Sequence, residues 1–248
     1  MEISASVRAV LFATEFDEHP YATHGGTLLV VSFQGKLFGI TCRHVFGDFP
    51  VEGLLVSQEK HGKKGSRFAA IQGIRYPSAP RRDAMGTDIT DLCVVEFSSE
   101  VTPDFFFGTA FPIDDEHAAT ANPGDELTVF GMLKNATSID GHDISVSWWR
   151  LSFIDTGHSS DPTLRQAMAV YEPPQFDSVI GLSGAPVFNE VSHMLCGMVV
   201  RGGIEGNVCT IRYIDVFDII RLLEAVVAGH EDTDYNKRVA PAGPANVR

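Results

Sequence analysis

Apolar residues along this chain come in short runs rich in Val, Ile, Phe and Thr, and each run is broken by Gly, Pro, Asn or Asp. That texture predicts strands joined by turns, as in an antiparallel barrel or sandwich. The runs are Val7–Ala13, Thr27–Phe33, Lys36–Thr41, Gly53–Val56, Phe68–Tyr76, Leu92–Phe97, Glu126–Gly131, Ile144–Phe153, Gln166–Tyr171, Met194–Val200 and Asn207–Tyr213. Ile144–Leu151 holds a period near two, which marks a strand with one buried face. The helical period appears late: Val216, Ile219, Ile220, Leu223 and Val226 or Val227 follow Asp215, a good N-cap, and Gly229 ends the run. Beyond it, Glu231–Arg248 is polar and holds Pro and Gly, which predicts a mobile tail.

Between Thr109 and Asn122 the strands are interrupted by Pro112, the acids Asp114, Asp115 and Glu116, and a run of small residues. The expected organisation is therefore two strand-rich units, 1–110 and 111–230, the second ending in the helix, followed by the tail 231–248. A cleft between two such units is a common place for a ligand site.

Charge narrows the function. The 248 residues carry 19 Lys+Arg against 32 Asp+Glu, a net charge of −13, which excludes binding to nucleic acid by gross phosphate neutralisation. At 44% hydrophobic and 21% charged, the chain has the makings of a core and not the signature of disorder. No run approaches the roughly 20 apolar residues of a membrane helix, and Glu2 stands where a signal peptide is basic. The expectation is a cytoplasmic protein with no membrane partner. Cys42, Cys93, Cys196 and Cys209 form no CxxC pair and each sits in an apolar run, as reduced core thiols do. On that reading the sequon Asn135-Ala136-Thr137 has no role.

Three segments hold candidates for nucleophilic catalysis. Gly39-Ile40-Thr41-Cys42-Arg43-His44 runs a strand into a histidine, Asp91-Leu92-Cys93-Val94-Val95 opens a strand with an acid, and Gly181-Leu182-Ser183-Gly184-Ala185-Pro186 holds a serine between glycines. A serine hydroxyl needs a base within hydrogen-bond reach, and the base needs an acid to fix its tautomer. The Gly-x-Ser-x-Gly elbow of α/β-hydrolases does not fit, because position 185 is Ala and only His193 and His230 follow Ser183. His19, His24, His61, His117, His142 and His158 form no HExxH or similar pattern, so neither a metal nor a cofactor is expected.

The order His…Asp…Ser, carried by Thr41-x-x-His44, Asp91-Leu92-x-Val94-Val95 and Gly181-x-Ser183-Gly184-x-Pro186, resembles the chymotrypsin/trypsin-like serine proteases, above all their intracellular bacterial branch akin to the high-temperature-requirement proteases. The likeness spans roughly residues 20–228. It implies an all-β fold of two six-stranded antiparallel barrels with a C-terminal helix, and a triad in the cleft between them. His44 would be general base then acid, Asp91 its orienter, and Ser183 the nucleophile. The oxyanion hole would come from the N–H groups of Gly181 and Ser183, with Gly184 letting the chain pass closely behind. Asp88-Ile89-Thr90 also resembles the family's acid string, but Asp91 directly precedes the apolar strand and is preferred.

Departures from the secreted members matter too. Leu182 stands where those proteins carry the Asp that pairs with a newly cut N-terminus, so maturation by that ion pair is not expected. Asp177 and Ser178 occupy the positions of an Asp-Ser pair at the base of the specificity pocket. Either Asp177 selects Arg or Lys there, or it is an exposed loop acid. Val200, Arg201 and Gly202 would form the opposite wall, with Arg201 an added cation, and Asn207 stands near a family glycine. The implied function is a serine endopeptidase acting on a protein or peptide substrate, cleaving after Arg or Lys, with a regulatory protein partner in view. The alternatives are a catalytically silent barrel used for binding or scaffolding, and an esterase-like hydrolase on the same fold.

Overall fold

The computed structural model describes residues 3–58, 67–78, 91–161, 163–170, 178–229 and 233–237. In the first half the apolar runs form β1 (Val7–Ala9), β2 (Leu11–Ala13), β3 (Tyr21–Ala22), β4 (Thr27–Phe33), β5 (Lys36–Cys42), β6 (Leu54–Leu55), β7 (Ile71–Pro77), β8 (Leu92–Phe97) and β9 (Phe111–Pro112). The second half adds β10 (Glu126–Asp140), β11 (Asp143–His158), β12 (Arg165–Ala169), β13 (Pro186–Asn189), β14 (Leu195–Glu205), β15 (Val208–Asp215), helix α1 (Val216–Ala228) and β16 (Thr233–Lys237).

β10 to β15 close a six-stranded barrel in the order β10-β11-β12-β15-β14-β13. Among the described residues a second closed six-stranded barrel does not appear in the first half. Its main sheet runs β1-β4-β5-β8-β7-β16 with β9 parallel to β4, and β3-β2-β6 form a separate small sheet. The division arises within Val7–Ala13. Val10 gives its N–H to Gly26 O at 3.0 Å, so the run breaks there, with β1 leaving for β4 and β2 for β3 and β6. Within the segment expected to be a tail, Thr233–Lys237 pairs antiparallel with β7.

The β4–β5 turn is Gln34-Gly35, both at positive φ (48° and 76°), the backbone that suits the twist of a two-residue hairpin. β5 runs from it straight into a 3₁₀ turn, Arg43–Phe46, that carries His44. The β10–β11 hairpin is longer than the apolar pattern predicts, because its outer part is polar except for Ile139, Ile144 and Val146. Those three pack with Ala9, Leu11 and Leu55, so the hairpin ties the barrel to the first half.

Leu127, Val129, Phe153, Val187, Val199, Ile211 and Tyr213 fill the barrel. Inside it Arg165 donates from Nε and Nη2 to the buried Asp155 at 3.0 and 2.9 Å, and the Tyr213 hydroxyl also donates to Asp155, so the buried charge is paired and hydrogen-bonded. The larger core lies in the first half, and α1 completes it with Val216, Ile219, Leu222, Leu223 and Val226. Asp215 caps α1 by accepting from Phe217 N, and Gly229 ends it at φ 66°.

Candidate active site

β5 and β8 pair through Thr41↔Cys93 and Cys42↔Leu92, which sets the start of β8 beside the turn that leaves β5. Arg43 N–H donates to Asp91 O at 2.9 Å and His44 N–H to Asp91 Oδ1 at 3.0 Å. The other carboxylate oxygen takes the hydrogen bond of His44 Nδ1. Asp91 thus grips both the backbone and the ring of His44, and its own side chain is 9% exposed against 48% for the imidazole. With Nδ1 as donor, Nε2 is left as an acceptor, and it lies 2.8 Å from Ser183 Oγ. Val200 O, 3.4 Å from the same hydroxyl, is the weaker partner. Asp88 lies outside the described residues.

The backbone around Ser183 is held from several sides. Ile180 O accepts from Lys134 N at 2.8 Å, and Leu182 O accepts from Ala185 N at 2.7 Å. In a trans peptide the N–H points opposite to the preceding C=O. The amides of Gly181 and Ser183 are therefore aimed away from those two contacts, and among the described residues neither has a protein acceptor. Gly181 sits at φ +110°, where its Cβ would stand 2.6 Å from Met132 O, and Gly184 sits at φ +84°, where a Cβ would stand 1.9 Å from Thr27 O. Both positions require glycine.

Thr27, fully buried at the start of β4, is the residue that the sequence did not single out. Its N–H donates to Ser183 O at 2.8 Å, and its carbonyl accepts from Thr41 Oγ1 at 2.7 Å. Its hydroxyl donates to Gly181 O at 2.8 Å and accepts from Met132 N at 3.1 Å. The sole trace in sequence is Gly25-Gly26 ahead of a threonine, which reads as an ordinary strand start.

Of the expected pocket residues, Asp177 lies outside the described residues. The Ser178 hydroxyl accepts from Ile180 N at 3.1 Å, a local turn contact. Val200, Arg201 and Gly202 lie on β14 just past Ser183, and Arg201 stands opposite Arg212 of β15. A Cβ on Gly202 would lie 2.9 Å from Val179 Cγ2, so Val179 occupies the space beneath this wall. Asn207 is remote from it, because β14 and β15 stay paired out to Glu205↔Val208 and leave Asn207 in the exposed turn. β13 pairs with β14 only as far as Met198, and among the described residues no strand covers that edge beyond it.

Cys42, His44 and Asp91 place possible metal ligands within 4.8 Å of one another. Their chemistry argues against a metal. Burial pushes the Cys42 thiol well above its ordinary range, with the Asp91 charge adding to the effect, and the thiol donates to Val199 O at 3.2 Å. The carboxylate and Nδ1 are committed to each other. Cys93 is raised in the same way, and burial alone raises Cys209.

No protein-family model matches the chain, and no curated protein sequence matches it. Solved structures do. The scabies mite inactivated protease paralogue S-D1 is 12% identical over 90% of this chain and 92% of its own, with a TM-score of 0.57. The MamO protease domain of Magnetospirillum magneticum is 15% identical over 88% and 96%, with a TM-score of 0.53. Human heparin binding protein is 12% identical over 96% of each chain, with a TM-score of 0.61. These neighbours share the chymotrypsin-like serine protease fold, and that is the fold of this chain.

Proposed function

We propose that the protein is a serine endopeptidase in which Ser183 is the nucleophile, His44 the general base and then acid, and Asp91 the group that holds the imidazole. The observation that carries this reading is the continuous chain from Asp91 through His44 to Ser183 Oγ, with 2.8 Å at its reactive end. Nε2 takes the Oγ–H proton as Oγ attacks the scissile carbonyl carbon. The oxyanion takes hydrogen bonds from the amides of Gly181 and Ser183, both without a protein acceptor among the described residues. The proton then passes from Nε2 to the leaving amine, and water, deprotonated by the same base, hydrolyses the acyl-enzyme.

The substrate backbone adds to the uncovered edge of β14 near Val200 and Gly202, as peptides do on exposed sheet edges. Asp177 selects an Arg or Lys side chain. With Leu182 before the serine, activity needs no freshly cut N-terminus. The test is labelling of the purified chain by a fluorophosphonate probe, followed by digestion of a peptide library. Rapid labelling that Ser183→Ala abolishes, together with cleavage, is the expected result. A chain that neither labels nor cleaves is a silent binding barrel, and one that labels yet hydrolyses only esters is an esterase.

A further inference from the structure

We infer that the side-chain hydroxyl of Thr27 is a positioning group for the oxyanion loop, and this rests on the serine-hydrolase reading above. Gly181 must present its N–H to the substrate, yet glycine is the residue that restrains its own backbone least. Its two flanking peptides therefore have to be held from outside. The Ile180–Gly181 peptide is held by Lys134 N–H on Ile180 O at 2.8 Å. The Gly181–Leu182 peptide is held by Thr27 Oγ1 on Gly181 O at 2.8 Å and by Leu182 N–H on Val179 O at 3.1 Å.

The direction of the Thr27 hydroxyl is itself determined. Met132 N–H donates to the oxygen at 3.1 Å, which leaves the hydroxyl proton for Gly181 O. Through this one side chain, β4 of the first half, β10 of the barrel and the Gly181–Ser183 loop share a common anchor. The backbone of Thr27 bonds Ser183 and Thr41 whatever side chain it carries, so substitution isolates the hydroxyl. Thr27→Val keeps the shape and leaves Met132 N–H and Gly181 O buried without that partner.

Thr27→Val, Thr27→Ala and Thr27→Ser are compared by steady-state kinetics on a peptide cleaved by wild type and by amide hydrogen exchange. Val and Ala are expected to lower kcat on the order of 10²-fold with little change in KM, since the loss falls on the transition state. Ser, which keeps the hydroxyl, is expected to restore kcat to near the wild-type value. The Leu182 and Met132 amides should exchange about tenfold faster in Val and Ala, while the slowest barrel amides stay unchanged. Wild-type kcat in Thr27→Val, or a Ser variant as impaired as Val, overturns the inference. Should Thr27→Val fail to fold, Thr27→Ala gives the same comparison. If wild type proves inactive the functional proposal fails by itself, and exchange still decides whether the hydroxyl holds the loop: unchanged Leu182 exchange in the variants overturns it.

Discussion

Gly184→Ala should be among the most damaging single-methyl changes in the chain. The new Cβ would stand 1.9 Å from Thr27 O and 2.6 Å from Thr41 Oγ1, against a floor of about 3.0 Å for real Cβ contacts. The loop would have to withdraw by about 1 Å. It cannot do so freely, because Gly184 N donates to Val199 O and Ser183 O accepts from Thr27 N, each at 2.8 Å. A positive φ costs a non-glycine residue about 1–2 kcal/mol. Weakening two buried hydrogen bonds costs about 1 kcal/mol each, and overpacking a further 1–3 kcal/mol. The expected loss is about 4–7 kcal/mol, a large part of the 5–15 kcal/mol typical of a folded domain. At roughly 2–4 °C per kcal/mol for a chain of this size, the melting temperature should fall by roughly 8–28 °C. Gly203→Ala is the control: it is exposed on β14, with no atom within 4 Å of its Cβ, and should change stability by less than about 0.5 kcal/mol. Urea unfolding of the two variants beside wild type decides the matter. A Gly184→Ala loss below about 1 kcal/mol would refute the reasoning.

Ser183→Ala and His44→Ala should each abolish peptide hydrolysis to a similar residual rate with unchanged melting, since the groups act as a unit; wild-type turnover in Ser183→Ala sinks the assignment. Asp91→Asn should lower turnover on the order of 10⁴-fold by favouring the wrong imidazole tautomer, whereas Asp88→Asn should cost little, and the reverse ranking moves the acid to Asp88. Among Arg, Leu and Glu reporter peptides, Arg should be cleaved fastest; a preference for Leu or Glu refutes basic specificity, and a Glu preference lost in Arg201→Ala assigns it to that cation. Burial pushes the Cys196 thiol up to about 12 from its ordinary 9.0, so the folded chain keeps a proton that the unfolded chain sheds. That contribution to stability is whole below pH 9 and declines as pH rises toward 12, which denaturant titrations across this range will show. All four cysteines are buried, so a thiol reagent at neutral pH should find them only after unfolding.

His44, Asp91 and Ser183 were legible because each stands where an apolar run meets a turn, and such junctions leave a local mark in the sequence. Asp91 could be preferred to Asp88 for the same reason: β8 begins at the next residue, and its ladder with β5 carries Asp91 to His44. α1 was equally plain from its cap, its period and Gly229. What escaped depends on partners distant in sequence. The division at Val10 is decided by Gly26 O, and nothing in Val7–Ala13 shows it. The outer half of the β10–β11 hairpin is held by a few apolar residues against the first half, too few to give a period. Thr27 reads as any strand threonine until Met132, Gly181 and Ser183 arrive from the other half.

α1 closes the larger core of the first half although it is encoded after the whole barrel. On a ribosome adding about 5–20 residues per second, β4 and β5 emerge roughly 10–40 s before Val226. Throughout that interval the apolar face that α1 covers is open to water or to a chaperone. The change of sheet between β9 and β10 is thus not a boundary in folding, and a chain stopped before Val216 should leave its first half exposed to proteolysis, however complete its strands.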